Sequence, residues 1–95
     1  NNAFERLVHD DLKIAYEAFV LVAMLIKAGE TDEIFNAIRE HRDERVKYAL
    51  LHVLRAVKDE RSLDSLNELR ASDTFPTDVM ERITDAIKSF EQVPA

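Results

Sequence analysis

Ninety-five residues, 46% apolar and 34% charged, fit one small domain that hides roughly two thirds of its unfolded surface. The net charge of -6 contains no basic segment: residues 1–29 and 30–59 each sum to -1, and residues 60–95 to -4. Phosphate neutralisation dominates nucleic-acid affinity, so this balance argues against DNA or RNA as a partner.

One Gly, two Pro and few aromatic residues, against many Ala, Leu, Ile, Val, Glu, Lys and Arg, favour helix over sheet, and the expected class is all-α. The longest apolar run, Ala18–Ile26, covers nine residues, about half of what a membrane-spanning helix needs. It reads as a core helix segment, so no membrane partner is expected. The absence of Cys removes disulfides and thiolate zinc sites and fits a reducing, cytoplasmic setting.

A short opening turn is expected from Ala3 to Val8. Asp10 or Asp11 can then cap a helix running to about Ala28, where Gly29 supplies a left-handed stop. Thr31 caps a second helix with Asp32 and Glu33 in its first turn, Ile34, Phe35 and Ile38 facing inward, and an end near His41. Asp43 opens a third, whose Val46, Ala49, Leu50, Val53, Leu54 and Val57 draw one continuous apolar stripe. Ser62 is the expected cap of a fourth, with Leu63, Leu66 and Leu69 buried and an end around Ser72 and Asp73. Phe75 and Pro76 interrupt the chain before a fifth helix carrying Val79, Ile83, Ala86, Ile87 and Phe90. Pro94 closes the chain.

These segments repeat. An offset of 31 residues lays Ala15, Ala18, Phe19, Val22, Ala23, Ile26 and Lys27 on Val46, Ala49, Leu50, Val53, Leu54, Val57 and Lys58. It also lays Phe35, Asn36, Ile38 and Arg39 on Leu66, Asn67, Leu69 and Arg70. The third helix matches the fifth at 33, the two extra residues falling in the Thr74–Thr77 connection. A period of this length predicts stacked helical hairpins, each burying its apolar face against its neighbours and leaving open surfaces rather than a closed pocket. The expected arrangement is a right-handed α-α superhelix of two and a half hairpins with five main helices. One domain then spans residues 1–95: a turn and capping long helix at 1–29, and repeats at 30–59 and 60–95.

The stretch Asp43, Glu44, Arg45, Val46, Lys47, Tyr48, Ala49, Leu50, with Leu54 following, resembles the second helix of a HEAT repeat. Lys58 to Leu63 and the turn Leu66 to Leu69 resemble the connection into the next unit, and Thr77, Asp78 and Val79 repeat the opening more weakly. The period is shorter than the ~40–47 residues of eukaryotic arrays and is similar to the compact bacterial HEAT-like type, also found in phycobilin lyase subunits. The likeness covers about residues 10–91. The proline that often kinks the first helix is missing, as is the Asp-Val-basic opening in residues 11–28. Tetratricopeptide spacing finds no match.

The resemblance implies that the long helices line one face. The positions opposite the core stripe would then be Tyr48, His52 and Arg55, with Leu51 at their edge; Glu17, Leu21 and Met24 in the first long helix; and Glu81, Asp85 and Lys88 in the last. Together they would form a strip graded from apolar to mixed to acidic, with Tyr48 and Arg55 of the types enriched at binding hot spots. His9, beside Asp10 and Asp11, is the one cluster resembling a metal site, and helix capping explains it more simply. Capping and the helix dipole also account for Asp32 with Glu33, Asp43 with Glu44 and Asp59 with Glu60. There is no phosphate loop, nucleophile elbow or Cys nucleophile, and the hydroxyls of Ser62, Ser65, Ser72 and Ser89 have no His beside them in sequence. No metal, cofactor or catalytic residue is expected.

The function expected is therefore a non-catalytic scaffold or interaction module that binds a partner protein through the long-helix face. The alternatives are a substrate-holding subunit or fragment of a HEAT-like lyase, and an acidic inhibitor or immunity-type protein that masks a basic partner. Val20, Leu21, Val22, Met24 and Leu25 make the first long helix apolar nearly all round, so it needs covering on both sides. Residues 1–9 would cover it, or another chain would, which predicts a homodimer or a further N-terminal repeat.

Overall fold

The computed structural model describes residues 2–72 and 74–91, and every regular element among them is an α-helix. In chain order these are α1 (Asn2–Arg6), α2 (Leu12–Lys27), α3 (Asp32–Glu40), α4 (Glu44–Val57), α5 (Arg61–Ser72) and α6 (Thr77–Ser89). Asp73 and Pro94, expected at a helix end and at the chain end, lie outside the described residues.

Local chemistry sets the starts. Asp11 and Asp43 sit in extended backbone just before α2 and α4, and each carboxylate accepts the N–H two residues on, from Lys13 and Arg45, at 2.9 Å. Each aspartate is itself held by the histidine two residues before it. His9 Nδ1 accepts the Asp11 N–H at 2.9 Å, and His41 Nδ1 accepts that of Asp43 at 3.0 Å. The cap of α5 is Asp59, which accepts the Arg61 N–H at 3.0 Å. Ser62, expected in that role, is instead buried inside the first turn, because the carboxylate lies closer to the unpaired amides. Thr31 precedes α3 without a side-chain capping bond, and Pro76 precedes α6.

The ends are equally local. Gly29 has φ +78°, the Glu30 N–H reaches the Leu25 carbonyl at 2.9 Å, and the Gly29 N–H reaches that of Ile26 at 3.0 Å, which closes α2 in a Schellman turn. After α4, Lys58 takes the left-handed conformation at φ 54°. Arg61 Nη2 donates to the Lys27 carbonyl at 2.6 Å, tying the start of α5 to the end of α2.

Short links bring each short helix onto the long helix that follows: α1 against α2, α3 against α4, α5 against α6. The long helices then stand side by side, with α4 between α2 and α6. This is two layers of helices, in keeping with a shortest dimension of 23 Å, and the core lies between them. Val22, Ile26, Ile34, Ile38, Leu50, Leu54, Leu66, Leu69, Val79 and Ile83 are all buried there.

Two expectations about the repeat change. The opening segment is a helix, α1, and its Phe4 is buried at the position, 31 residues earlier, of buried Phe35 and Leu66. The array is therefore three hairpins, the first with a very short outer helix. The register of α2 on α4 also shifts by one: cap to cap, from Asp11 to Asp43, the offset is 32. That register lays Ala18 on Leu50 and Val22 on Leu54, all fully buried. The offset of 33 between α4 and α6 stands, since Asp43 corresponds to Pro76.

Candidate functional site

The side of the long helices turned away from α3 and α5 is the expected binding strip, and the cap register decides which residues share it. Tyr48, His52 and Arg55 of α4 correspond to Glu81, Asp85 and Lys88 of α6, as expected. On α2 their counterparts are Tyr16, Val20 and Ala23, each one residue before the expected Glu17, Leu21 and Met24. The strip therefore opens on α2 with a tyrosine in the place of Tyr48.

Between α4 and α6 the structure gathers Tyr48, Leu51, His52, Arg55, Asp85 and one residue the sequence did not single out, Arg82, around a depression of about 60 Å³. Small-molecule pockets run to roughly 300–1,000 Å³, so this one holds no substrate. The Arg82 guanidinium lies 4.1 Å from the centre of the Tyr48 ring, a cation–π contact that ties α6 to α4. The Tyr48 hydroxyl donates to Glu44 at 3.3 Å. Desolvation first, then the nearby Glu44 and Asp78 carboxylates, push its pKa up, with Arg82 opposing.

Leu51, expected at the rim, is only 2% exposed. It belongs to the core and backs the depression from beneath, because α6 covers the side of α4 on which it lies. His52 is exposed, and its ring stands 6.2 Å from that of Phe19 at 51°, a contact between α4 and α2. Arg55, Glu81, Asp85 and Lys88 are exposed, as is Glu17.

The large apolar side chains left in water are a different set. Leu12, Tyr16, Val20, Leu21 and Met24 are 82%, 67%, 37%, 48% and 60% exposed, and all five lie on α2. Four of them, residues 12, 16, 20 and 24, recur at every fourth position and so form one slowly winding ridge. The opening segment does not cover them: α1 buries Phe4 and Ala3 in the hairpin but leaves this ridge open. Leu21 and Met24 of the expected set are here, whereas Leu12, Tyr16 and Val20 went unmarked. Reading α2 at the wrong register placed Tyr16 and Val20 toward the core. Matching Tyr16 to Tyr48 would have found them.

A wider, open depression lies where the two His-X-Asp caps come together, with Glu5, His9, Asp10, Glu40, His41 and Arg45 among its lining. Glu5 Oε1 is 3.8 Å from His41 Nε2. Both histidines spend Nδ1 on capping, and Asp43 on Arg45, whose hydrogen bond holds the Asp43 carboxyl below its usual range. Among the described residues no group of three or more His, Cys, Asp or Glu side chains is placed to hold a metal ion. None of their helices is long and apolar enough to cross a membrane.

Compared with protein-family models, curated proteins and solved structures, the chain matches none.

Proposed function

We propose that the chain is a HEAT-like helical-repeat module that binds protein through its long-helix face, with α2 as the principal docking helix. One observation carries this reading: every large apolar side chain exposed among the described residues lies on that single helix. Contiguous apolar surface of this size on a small protein marks an interaction site. The polar neighbours His52, Arg55, Glu81, Asp85 and Lys88 supply a rim, the usual surround of an apolar docking surface. Resemblance of the α4 opening to a HEAT second helix supports the family assignment.

The test is capture from native lysate on the immobilised chain, compared with Tyr16→Glu and Met24→Glu variants. Loss of specific captured proteins supports α2 as the docking helix, and an unchanged set counts against it. A second reading has its own observation, the exposed Asp78, Glu81 and Asp85 on α6, which suit an acidic surface that masks a basic partner. Association of that kind weakens steeply with ionic strength. Binding that is constant across a tenfold salt range removes it.

A further inference from the structure

The first long helix leaves open, at the leading edge of the array, a surface that its two successors bury. Counted from the caps, Leu21 corresponds to Val53 and Ala86, each 1% exposed. Val20 corresponds to His52, which meets Phe19 on the preceding long helix, and Glu17 to Arg82, which meets Tyr48 on the preceding long helix. Leu21 and Val20 thus occupy stacking positions with no preceding helix against them.

The trailing edge differs. On α6 the exposed side chains include Glu81, Asp85 and Lys88, and no large apolar one is exposed there. A repeat stack stays soluble when the outer faces of its end units are polar. Helix α6 meets that condition, and α2 does not.

Resting on the reading of α2 as a docking helix, we infer that its occupant is a second copy of this chain. The two α2 helices pair antiparallel about a two-fold axis at the level of residue 18. Because the exposed apolar surface is confined to α2, two copies hide it from water together only by setting α2 on α2. That contact uses the same patch on both partners and closes as a pair, whereas stacking α2 on the polar α6 edge of another copy would run on as a filament.

The ridge is self-complementary. Its members at 12, 16, 20 and 24 are symmetric about residue 18, so Leu12 faces the partner's Met24, and Tyr16 faces the partner's Val20. Side chains of this kind present roughly 150–250 Å² each when fully exposed. The fractions uncovered here therefore leave on the order of 600 Å² per copy, and pairing hides on the order of 1,200 Å², the lower bound for a stable protein interface. Charge permits the approach: Lys13, Glu17 and Lys27 give α2 a net charge of +1, while the -4 of residues 60–95 lies in the third hairpin, beyond α4.

Sedimentation across a roughly hundredfold concentration range tests this through mass action. The expected result is a mass near twice 10.9 kDa at the top of the range, falling to one copy on dilution. Tyr16→Glu and Met24→Glu should each weaken the pairing by roughly tenfold or more with unchanged circular dichroism. The chain has no cysteine of its own, so introduced thiols report the geometry cleanly. On oxidation Glu17→Cys cross-links two copies and Lys27→Cys does not, because an antiparallel pair brings only the middle of α2 opposite itself.

A single-copy mass at every concentration overturns the inference, as does a dimer that both glutamate variants leave intact. Equal cross-linking at both thiols overturns the antiparallel arrangement. A monomer whose Tyr16→Glu variant loses captured lysate proteins defeats self-pairing and leaves the docking reading standing. A monomer with an unchanged capture defeats both.

Discussion

Asp59, Arg61 and Gly29 show how few atoms hold one hairpin to the next. The Arg61 guanidinium bonds Asp59 at 2.6 Å and the Lys27 carbonyl at 2.6 Å. Its side-chain hydrogen bond, followed by the Arg61 backbone N–H, holds the Asp59 carboxyl down to about 2 from the ordinary 3.8. A folded pKa below the unfolded one contributes stability that is complete above the unfolded value and lost as pH falls through the folded one. Asp59→Asn should therefore lower the urea midpoint at neutral pH, and the gap from the parent should close between pH 3.8 and about 2. A gap that stays constant over that interval would show that the Asp59 charge is not its source. Gly29 serves the same junction. Its φ of +78° is costly for any residue with a Cβ, and a Cβ there would stand 2.8 Å from Arg61 Nη1. Gly29→Ala should cost about 1–2 kcal/mol, read as a fall in thermal midpoint of roughly 4–8 °C per kcal/mol for a domain of this size. Adding Arg61→Ala relieves the crowding but not the backbone strain, so the two effects should combine less than additively.

At the scale of whole helices, the caps carry the register. Asp11 and Asp43 hold the first free amides of α2 and α4, and His9 and His41 hold the aspartates. Replacing such a cap by Ala costs about 1 kcal/mol, so Asp43→Ala should lower stability by that amount and speed amide exchange in the first turn of α4. Loss of Asp11 should cost a similar amount but leave α4 protected, which an exchange experiment on both variants resolves. Much of this level is legible without a structure. Asp11 or its neighbour, Gly29, Asp43 and Pro76 announce the boundaries of the long helices through chemistry that operates within a few residues, and the stripe from Val46 to Val57 names a buried face. What escaped was tertiary. Helix α2 is apolar on so many sides that its residues match α4 almost equally well at 31 or 32, and only the cap-to-cap count decides. Leu51 lies at the margin of its stripe, and whether it is wet depends on α6, which no local pattern reveals. Arg82 looks like one more surface charge until α4 brings Tyr48 beneath it. Five residues of α1 carry too little periodicity to declare a helix, although Phe4 falls at the repeat distance from Phe35.

For the molecule as a whole, the order of packing predicts an order of stability. Helix α4 meets α2, α3 and α6, whereas α1 rests mainly on α2 and to a lesser extent on α4. In a stack, each unit is stabilised by its own hairpin and by its nearest neighbours, so the middle hairpin gains from both sides and the first from one. Local opening should follow: native-state amide exchange is expected to be slowest in α4 around Val53 and Leu54, and fastest in α1. Two substitutions separate this gradient from a uniform, all-or-none molecule. Leu54 is fully buried on the central helix, and Leu54→Ala should cost about 2–5 kcal/mol, a large share of the roughly 5–15 kcal/mol a domain possesses. Exchange should then rise in all three hairpins together, because the unit that joins them is weakened. Phe4 is also buried, but its helix is five residues long and stands at the edge. Phe4→Ala should accelerate exchange in α1 and along the α2 amides beneath it while leaving α5 and α6 unchanged. If both variants raise exchange equally from one end to the other, the hairpins do not open separately, and the chain folds as one cooperative unit despite its repeat.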